Sequence, residues 1–421
     1  MTLPATLRAP LLCLILPASA VLWAWPEGLP PWRGLAIITA WTGTGLLLAS
    51  LLLMLRQPRL AEHLGGLSNS YRWHHLSGTL AYISLLLHPL ALAADGFTED
   101  PRTAWLALAP WALGWPENLG WLALLLLMGG LAGSFGPPLA YRPWRAVHFL
   151  LGAGVVLGLA HVWALLGNAS GVLLALFVCL FSLGWRLLAD DRGWGAAPYR
   201  VSSVRACARD SIEATLTPCS RALPARPGQF VLAAFGDGGH FHGSKEFHPF
   251  TLSEVGDNGQ LRMAIKALGH CTRHLQALEP GVLVRLAGPF GEAAQTLPDG
   301  RPRLWIAGGI GITPFMALLR QETSGPPTDL LHVFRRAEEA PFLDELESLA
   351  RQRPELNYLP RATGDGPAPL ADMLAPLDSL EERSVYLCGP PGLVDLARRL
   401  LLARGVNALR IHHDSFDFRG S

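Results

Sequence analysis

The sequence lacks cysteine pairs of the kind that hold zinc ribbons, iron–sulfur modules or disulfide frameworks together. Its six cysteines form no C-x-x-C pair, and Cys13 and Cys179 lie within apolar runs. Charge is scarce as well. Charged residues make up 16% of 421, and the net charge of +1 gives no reason to expect a nucleic-acid partner. No D-x-D/N-x-D/N-G loop occurs, so the sequence contains no EF-hand calcium site.

Hydrophobic residues make up 50% of the chain and are concentrated in its first half. Residues 1–189 contain long runs rich in Leu, Ala and Trp, whereas residues 195–421 have the composition of a soluble protein. A membrane-spanning helix needs roughly 20 apolar residues. Six segments meet or approach this length: 9–25, 34–55, 72–93, 118–134, 144–166 and 170–188. The first segment also resembles a secretory signal peptide, because Arg8 precedes it and Ala18-Ser19-Ala20 lies within it.

Loop charges give the predicted bundle an orientation. One side of the membrane has only Arg33 and Arg102 among the arginines, together with five acidic residues: Glu27, Asp95, Glu99, Asp100 and Glu117. The other side has eight arginines: Arg8, Arg56, Arg59, Arg72, Arg142, Arg145, Arg186 and Arg192. The positive-inside rule therefore predicts that both termini, and everything after residue 190, are cytoplasmic. The protein is predicted to lie in a plasma (inner) membrane.

Four histidines form two spaced pairs within the apolar segments: His74 with His88, and His148 with His161. An ionisable side chain at membrane depth is costly, and neutral imidazole is a natural axial ligand for haem iron. Partners 14 or 13 residues apart in one helix lie roughly 20 Å apart along its axis. Two helices with such pairs could hold one haem near each face of the membrane. The alternative is a set of polar side chains that hydrogen-bond between helices.

Helix geometry suits the first pair better than the second. A spacing of 14 residues brings His74 and His88 to within about 40° of each other, whereas 13 residues leave His148 and His161 about 140° apart. The second pair therefore requires a local distortion such as a π-bulge, which glycines at 152, 154 and 158 would permit. His75 is an alternative inner ligand, although His74 keeps the helix face.

His63 also lies near the predicted inner face, in a loop, and we expect it to be solvated.

Beyond residue 193, short β-type runs alternate with turn residues, which is typical of a small antiparallel barrel. A buried strand at 303–307 then leads into Gly308-Gly309-Ile310-Gly311-Ile312-Thr313-Pro314 and a helix. Glycines between a strand and a helix allow backbone amides to approach a diphosphate, or they simply make a tight turn. This run departs from the G-x-G-x-x-G dinucleotide fingerprint.

A second strand, Ser384–Leu387, leads into Cys388-Gly389-Pro390-Pro391 and another helix. Ligands bind at the carboxyl ends of strands in open α/β sheets, although most lone cysteines are only small buried hydrophobes. Together with His248-Pro249-Phe250-Thr251-Leu252-Ser253 and Gly288-Pro289-Phe290-Gly291, these motifs resemble the ferric reductase/NADPH oxidase superfamily. Arg226-Pro227-Gly228-Gln229-Phe230 and His74-His75-Leu76-Ser77-Gly78 are similar to its flavin-barrel and membrane segments. The resemblance covers essentially the whole chain.

The resemblance implies a six-helix transmembrane haem domain (1–190) followed by a ferredoxin–NADP reductase-like module. That module comprises an antiparallel β-barrel FAD domain (195–297) and an α/β NAD(P)-binding domain (298–421). It further implies that FAD is held by two segments: His248, Pro249, Phe250, Thr251 and Ser253, then Ile265, Lys266, Gly269 and Thr272. For Lys266, a solvated lysine in a strand-turn is the alternative. The nucleotide diphosphate would be held by Gly308, Gly309, Gly311, Thr313 and Pro314.

The resemblance also implies that Cys388, Gly389 and Pro390 lie against the nicotinamide and that Phe416 covers the flavin face. Arg335 follows a predicted strand and favours NADPH, with NADH as the alternative, because arginine pairs with a 2′-phosphate. Electrons would pass from NADPH to FAD, two b-type haems and an acceptor outside, either oxygen or a ferric chelate. The alternatives are an extracytoplasmic protein acceptor, or a non-catalytic sensor or transporter on a reductase scaffold.

Overall fold

The computed structural model describes residues 4–25, 27–110, 112–135, 141–167, 169–291 and 300–414. The chain divides into two compact units, residues 1–190 and 191–421. The first is helical, and the second contains a β-barrel and a parallel sheet. The fold class predicted from the sequence is confirmed.

Among the described residues, six helical spans are long and apolar enough to cross a membrane: α1 (Ala5–Trp23), α2 (Pro31–Leu53), α4 (Leu67–Phe97), α6 (Trp115–Phe135), α7 (Tyr141–Leu166) and α8 (Ser170–Trp185) together with the helical turn that continues it to Asp191. Each overlaps one of the six predicted segments. Many large apolar side chains on these helices point outward, as expected when the surrounding solvent is lipid. The protein is therefore an integral, multi-pass membrane protein.

Two short helices lie between the spans: α3 (Pro58–His63) and α5 (Pro101–Leu108). Both begin with a proline, which suits a first helical turn because its missing N–H has no partner there. The Gln57 side chain caps α3 by accepting a hydrogen bond from the Leu60 amide. His63 ends α3 and is exposed as expected, and the Arg8 guanidinium contacts its ring and carbonyl oxygen.

Helices α6 and α7 pack closely along a seam of small residues. A Cβ atom added at Gly130 or Gly133 would collide with the side chain of Leu151 or Val147. Between helices in lipid, where no hydrophobic effect drives association, such close backbone approach supplies the packing energy. The seam holds the two helices that position His148 and His161.

The expected π-bulge between His148 and His161 is not found, because α7 is a regular α-helix throughout. Both rings are instead turned by hydrogen bonds to opposite ends of α6, to Ser134 for His148 and to Pro116 for His161. The prediction of a distortion was wrong because it took the side-chain directions from the helix angle between positions 148 and 161 and did not consider side-chain rotamers. A π-helical turn does occur in the first unit, over Arg186–Asp191 at the end of the last span.

Six antiparallel strands form a closed barrel in the order β1-β2-β5-β4-β3-β6. Their bounds are β1 (Ala197–Ala208), β2 (Ser211–Pro218), β3 (Phe230–Phe235), β4 (His248–Val255), β5 (Leu261–Lys266) and β6 (Leu283–Phe290). Apolar side chains from every strand fill the interior. Closure leaves no unpaired sheet edge. A short helix, α9 (His270–His274), follows β5.

Five parallel strands follow in the order β11-β10-β7-β8-β9. Their bounds are β7 (Arg303–Gly308), β8 (Thr328–Phe334), β9 (Leu356–Ala362), β10 (Ser384–Cys388) and β11 (Ile411–Asp414). The accompanying helices are α10 (Thr313–Gln321), α11 (Leu343–Gln352), α12 (Leu370–Leu374) and α13 (Pro391–Ala403). Separate apolar clusters cover the two faces of this sheet. The carboxyl ends of β7 and β10 are adjacent, which brings both glycine motifs to one edge.

A buried ionic network joins the barrel to the parallel-sheet half of the second unit. Arg320 on α10 donates a hydrogen bond to Glu213 on β2 (2.7 Å) and pairs with both carboxylate oxygens of Glu345 on α11 (2.8 Å each). Glu213 also accepts from the Ser253 hydroxyl (2.5 Å) and from Arg205 (2.7 Å). Burial alone would raise the pKa of Glu213, but its hydrogen bond to Arg320 and that charge outweigh burial and lower it. The network is therefore intact at neutral pH and is lost as the pH falls through the lowered pKa.

Replacing Arg320 by methionine should destabilise the soluble unit by about 3 kcal/mol, because Glu213 would lose its main partner while still buried. Arg205 still faces Glu213, so we expect the lower end of the range known for broken buried pairs. Denaturant unfolding of the full chain in detergent, followed by tryptophan fluorescence, measures the change. Arg398→Met on the exposed side of α13 is the matched control, with an expected effect below about 0.5 kcal/mol. Equal unfolding midpoints for the two variants would contradict this prediction.

Candidate functional site

The inner histidine pair is held by hydroxyl and carbonyl groups of neighbouring helices. The His74 ring on α4 lies 6.2 Å, between centroids, from the His148 ring on α7. The Nδ1 atom of His74 contacts the Ser50 hydroxyl (2.7 Å) and the Ser50 carbonyl oxygen (3.0 Å). The Nδ1 atom of His148 contacts the Ser134 hydroxyl (3.2 Å), which itself donates to the Gly130 carbonyl oxygen. Both rings therefore face each other with Nδ1 engaged.

The outer pair lines a cavity of about 290 Å³ within the bundle. His88 on α4 donates from Nδ1 to the Ala36 carbonyl oxygen (2.9 Å), and His161 on α7 donates to the Pro116 carbonyl oxygen (2.7 Å). The cavity is lined by α2, α4, α5, α6 and α7, and its lining is mostly apolar. A side chain at Gly120, on its wall, would press against the His161 ring at 3.1 Å. The cavity is thus shaped around two imidazoles.

All four rings share one arrangement: Nδ1 is used and Nε2 remains the donor atom for a metal. A carbonyl oxygen only accepts hydrogen bonds, so Nδ1 carries the proton in His74, His88 and His161. Nδ1 also carries the proton in His148, because the Ser134 hydroxyl already donates its proton to the Gly130 carbonyl oxygen. Metal-bound histidines in proteins typically donate their second ring nitrogen in this way. The donor set and its apolar surroundings fit haem iron.

His75 differs from these four. Its side chain is exposed on the bundle surface, and its ring centroid lies 5.4 Å from that of His74. Within the described ranges no hydrogen bond holds its ring. His74 therefore remains the better inner candidate.

Two of the acidic residues assigned to the outer side do not stand free in loops. Asp95, near the end of α4, is buried and pairs with Arg33 of α2 (3.1 Å). Glu117, in the first turn of α6, lines the cavity that His88 and His161 share. Their positions make them structural or cavity groups rather than a surface charge patch.

The predicted flavin segment lies on β4, where alternate residues face opposite ways. Phe250 points into the barrel core and packs edge-on against Phe235, while Pro249 and Thr251 are half-buried on the outer side. Ser253 is fully buried in the ionic network with Glu213. Of this motif, the side chains of His248, Pro249 and Thr251 are partly exposed, although the His248 Nε2 atom is shielded.

The second predicted flavin segment also contains both buried and partly exposed residues. Ile265 is buried in the barrel core, and Lys266 pairs with Asp210 (3.4 Å). The Thr272 hydroxyl accepts hydrogen bonds from the Leu268 and Gly269 amides and so fixes the turn before α9. Lys266 also reaches toward Gly309 of the nucleotide loop: its Nζ lies 4.0 Å from where a Gly309 Cβ would be. This segment therefore borders both halves of the soluble unit.

The two glycine motifs meet at the carboxyl edge of the parallel sheet. A side chain at Gly311 would collide with the Cys388 carbonyl, and one at Gly308 would lie 2.6 Å from Leu393. Gly309 adopts a positive φ of 53°, which favours glycine. Cys388 ends β10, only 1% exposed, with its thiol in the sheet core.

The other residues predicted to bind the nucleotide lie around or near this edge. The Thr313 hydroxyl is buried and donates to the Ile310 carbonyl oxygen (2.6 Å), and Pro314 begins α10. Gly389 and Pro390 follow Cys388 and pack against Gly308. Arg335 follows β8 and is exposed. The predicted flavin-covering residue Phe416 lies outside the described residues.

Sequence reasoning missed His332, which is fully buried on β8 below the nucleotide loop. Its Nε2 donates to the Gly309 carbonyl oxygen (3.2 Å), and its Nδ1 accepts from the Tyr358 hydroxyl (2.9 Å). Burial lowers the pKa of His332 to about 4, so the ring is neutral at physiological pH. Burial likewise raises the pKa of Tyr358, which keeps its hydroxyl proton. This chain of hydrogen bonds fixes the Gly309 peptide from beneath.

Family comparisons match three consecutive parts of the chain. Residues 39–159 match the ferric reductase like transmembrane component, residues 197–282 an FAD-binding domain, and residues 305–399 the oxidoreductase NAD-binding domain. The chain has the ferric reductase/NADPH oxidase-like architecture. The resemblance read from its motifs is confirmed, and the two soluble matches assign the second unit to FAD- and NAD-binding oxidoreductases.

Curated relatives match about half of this ferric reductase-like chain. The electron transfer component of toluate 1,2-dioxygenase from Pseudomonas putida is 28% identical over 54% of this chain and 68% of its own length. An NADPH oxidoreductase from Mycobacterium tuberculosis is 30% identical over 52% of this chain and 59% of its own length. The reductase component of propane 2-monooxygenase from Rhodococcus jostii is 26% identical, and the match spans 62% of its length. This chain thus spans about three fifths to two thirds of these proteins.

Solved structures give similar alignments. The FAD/NAD-binding domain of nitric oxide dioxygenase from Vibrio cholerae aligns with 52% of this reductase-like chain and 98% of its own, at 23% identity and a TM-score of 0.45. A flavohemoglobin from Malassezia yamatoensis aligns with 90% of this chain and 96% of its own, at 19% identity and a TM-score of 0.47.

Replacing His332 by phenylalanine should weaken NADPH binding roughly fivefold, because the Gly309 carbonyl loses a hydrogen bond worth about 1 kcal/mol. Anaerobic flavin reduction in a stopped-flow instrument gives the apparent Kd for NADPH. Tyr358→Phe is the matched control, since it removes the outer hydrogen bond but keeps the one to Gly309, and its effect should be smaller. Wild-type affinity in the His332 variant would contradict the role assigned to this residue.

Proposed function

We propose that this protein carries electrons from cytosolic NADPH through FAD and two b-type haems to an acceptor at the outer face of the membrane. The observation that carries the proposal is the common arrangement of four intramembrane histidines, paired across α4 and α7, with Nδ1 engaged and Nε2 left as a metal ligand. His74 and His148 would hold the inner haem, and His88 and His161 the outer haem. The excess of arginines at the inner loops supports the cytoplasmic assignment of the soluble unit.

When bound, FAD would supply two-electron hydride chemistry and haem iron would supply one-electron transfer. The protein residues bind and orient. His248, Pro249 and Thr251 would hold FAD on the outer side of β4, and Gly308 to Gly311 would hold the NADPH diphosphate. His332 keeps the Gly309 peptide in place. The exposed Arg335 offers a charge for the 2′-phosphate, which supports NADPH over NADH.

The acceptor is proposed to be oxygen or a ferric chelate. Asp95 pairs with Arg33, and Glu117 lines the outer cavity. Of the five acidic residues predicted for the outer side, Glu27, Glu99 and Asp100 are exposed. Three exposed carboxylates give little electrostatic attraction for a cationic complex at physiological salt. An acceptor small enough to need no charged surface, such as oxygen, is therefore favoured.

Single replacements of the ligands by alanine should each remove one haem. His88→Ala and His161→Ala should each halve the haem content per chain, and His74→Ala and His148→Ala should do the same at the inner site. The pyridine haemochrome spectrum of detergent-purified protein measures this content. His75→Ala is the matched control and should keep both haems. Loss of haem in the His75 variant but not in the His74 variant would move the inner ligand to His75, and haem-free wild-type protein would refute the proposal.

A difference spectrum recorded during NADPH addition, under nitrogen and then under air, tests the path and the acceptor. We expect a reduced b-type haem signal under nitrogen that oxygen bleaches. Haem that stays reduced in air but is reoxidised by a ferric chelate would favour a metalloreductase. Reoxidation by neither would point to an extracytoplasmic protein acceptor. Absence of any NADPH-dependent haem reduction would favour a non-catalytic sensor or transporter.

A further inference from the structure

Three metal-binding side chains converge at the start of β4 and in the turn of α9. They are Glu246, His248 and Cys271, and all three are half-buried. Their ligand atoms lie within 4.8 Å of one another. The Glu246 carboxylate oxygen is 3.9 Å from His248 Nε2 and 4.0 Å from Cys271 Sγ. Residues distant in sequence thus present an oxygen, a nitrogen and a sulfur to one point.

The histidine nitrogen at this point has no hydrogen-bond partner in the described part of the chain, although it is shielded from solvent. A polar atom that is shielded from solvent and has no hydrogen-bond partner is uncommon in proteins, and it can indicate a binding site for an ion. The distance of 3.9 Å to Glu246 is too long for a hydrogen bond. The nearby Lys245 ammonium is directed elsewhere, to Asp237 at 2.8 Å. A cation between the three side chains would satisfy the nitrogen.

We propose that Glu246, His248 and Cys271 form a site for a borderline-soft divalent cation of the zinc class. Zinc prefers a mixed sulfur, nitrogen and oxygen set, and bonds of about 2.0–2.3 Å place tetrahedral ligands about 3.5 Å apart. The observed separations exceed this by a few tenths of an ångström to just over 1 Å, which side-chain rotation covers. Three protein ligands leave a fourth position for water.

Metal binding at this site should oppose flavin binding. His248 begins the β4 segment assigned to FAD, and Cys271 lies between Gly269 and Thr272 of the second segment. One imidazole nitrogen cannot bind a cation and a flavin group together, so the cation would favour the flavin-free protein. This consequence rests on the proposed function, whereas the site itself does not.

Cobalt is the probe, because a thiolate bound to Co²⁺ gives a near-ultraviolet charge-transfer band that imidazole and carboxylate ligands do not give. Full-length protein in detergent, freed of FAD and titrated with Co²⁺ under nitrogen, should show this band saturating at one equivalent per chain. Cys271→Ser should abolish the band, and Glu246→Gln should weaken cobalt binding at least tenfold. Cys219→Ser is the matched control, since Cys219 is exposed and remote in sequence, and it should leave the band unchanged.

The result overturns the site if wild-type protein shows no band, or if Cys271→Ser keeps it. A band lost in Cys219→Ser also overturns it. A second measurement separates the site from its consequence: one equivalent of Zn²⁺ should release FAD from wild-type protein, read as a rise in free-flavin fluorescence, but not from Cys271→Ser. Cobalt binding as expected with FAD retained would keep the metal site and refute the competition.

Discussion

The tautomer of four intramembrane histidines is the constraint on which the proposed electron path depends. An imidazole within a bilayer must satisfy its N–H group inside the protein, because no water is available there. Here that need is met by main-chain carbonyl oxygens of Ser50, Ala36 and Pro116, and by the Ser134 hydroxyl. Each acceptor belongs to a helix other than the one that carries the histidine. The packing of α2 and α6 against α4 and α7 therefore determines which nitrogen would be left for iron. The proposed metal ligation depends directly on helix packing in this unit.

In the soluble unit, the corresponding constraint is electrostatic. Hydride transfer between a barrel-bound flavin and a sheet-bound nucleotide needs the two halves at a fixed distance. Arg320 reaches from α10 into the barrel, where Glu213 is 1% exposed and costly to bury without a partner. Because Arg320 is the main partner of this carboxylate, separation of the two halves would leave Glu213 with only its barrel partners, Arg205 and Ser253. The network thus specifies the relative position of the halves more than it adds to their stability.

The sequence predicts those parts of the fold that arise from hydrophobic runs and turn residues. It does not predict those that depend on a contact between two residues distant in sequence. The six spans and the glycine motifs follow from apolar runs and turn residues, and each overlaps observed elements. In strand β2, Glu213 interrupts the apolar pattern, and its main partner, Arg320, lies 107 residues later. His332 was missed because one histidine in an apolar strand carries no motif. The acceptors of the haem-ligand candidates are main-chain atoms, and no residue type marks them. The supposed bulge in α7 came from treating helix angle as side-chain direction.

The hydrogen-bonded chain from Tyr358 through His332 to Gly309 has an evolutionary consequence. Tyr358 lies on β9 and has no role in the proposed binding of the nucleotide, yet its hydroxyl supplies the proton that keeps His332 in the tautomer able to hold the loop. Loss of either side chain alone leaves a buried ring nitrogen or hydroxyl unpaired, which selection removes more often than the loss of both. Among relatives, positions 332 and 358 should therefore change together, with apolar pairs replacing the polar pair. The strength of that covariation would report how far the nucleotide loop depends on support from beneath.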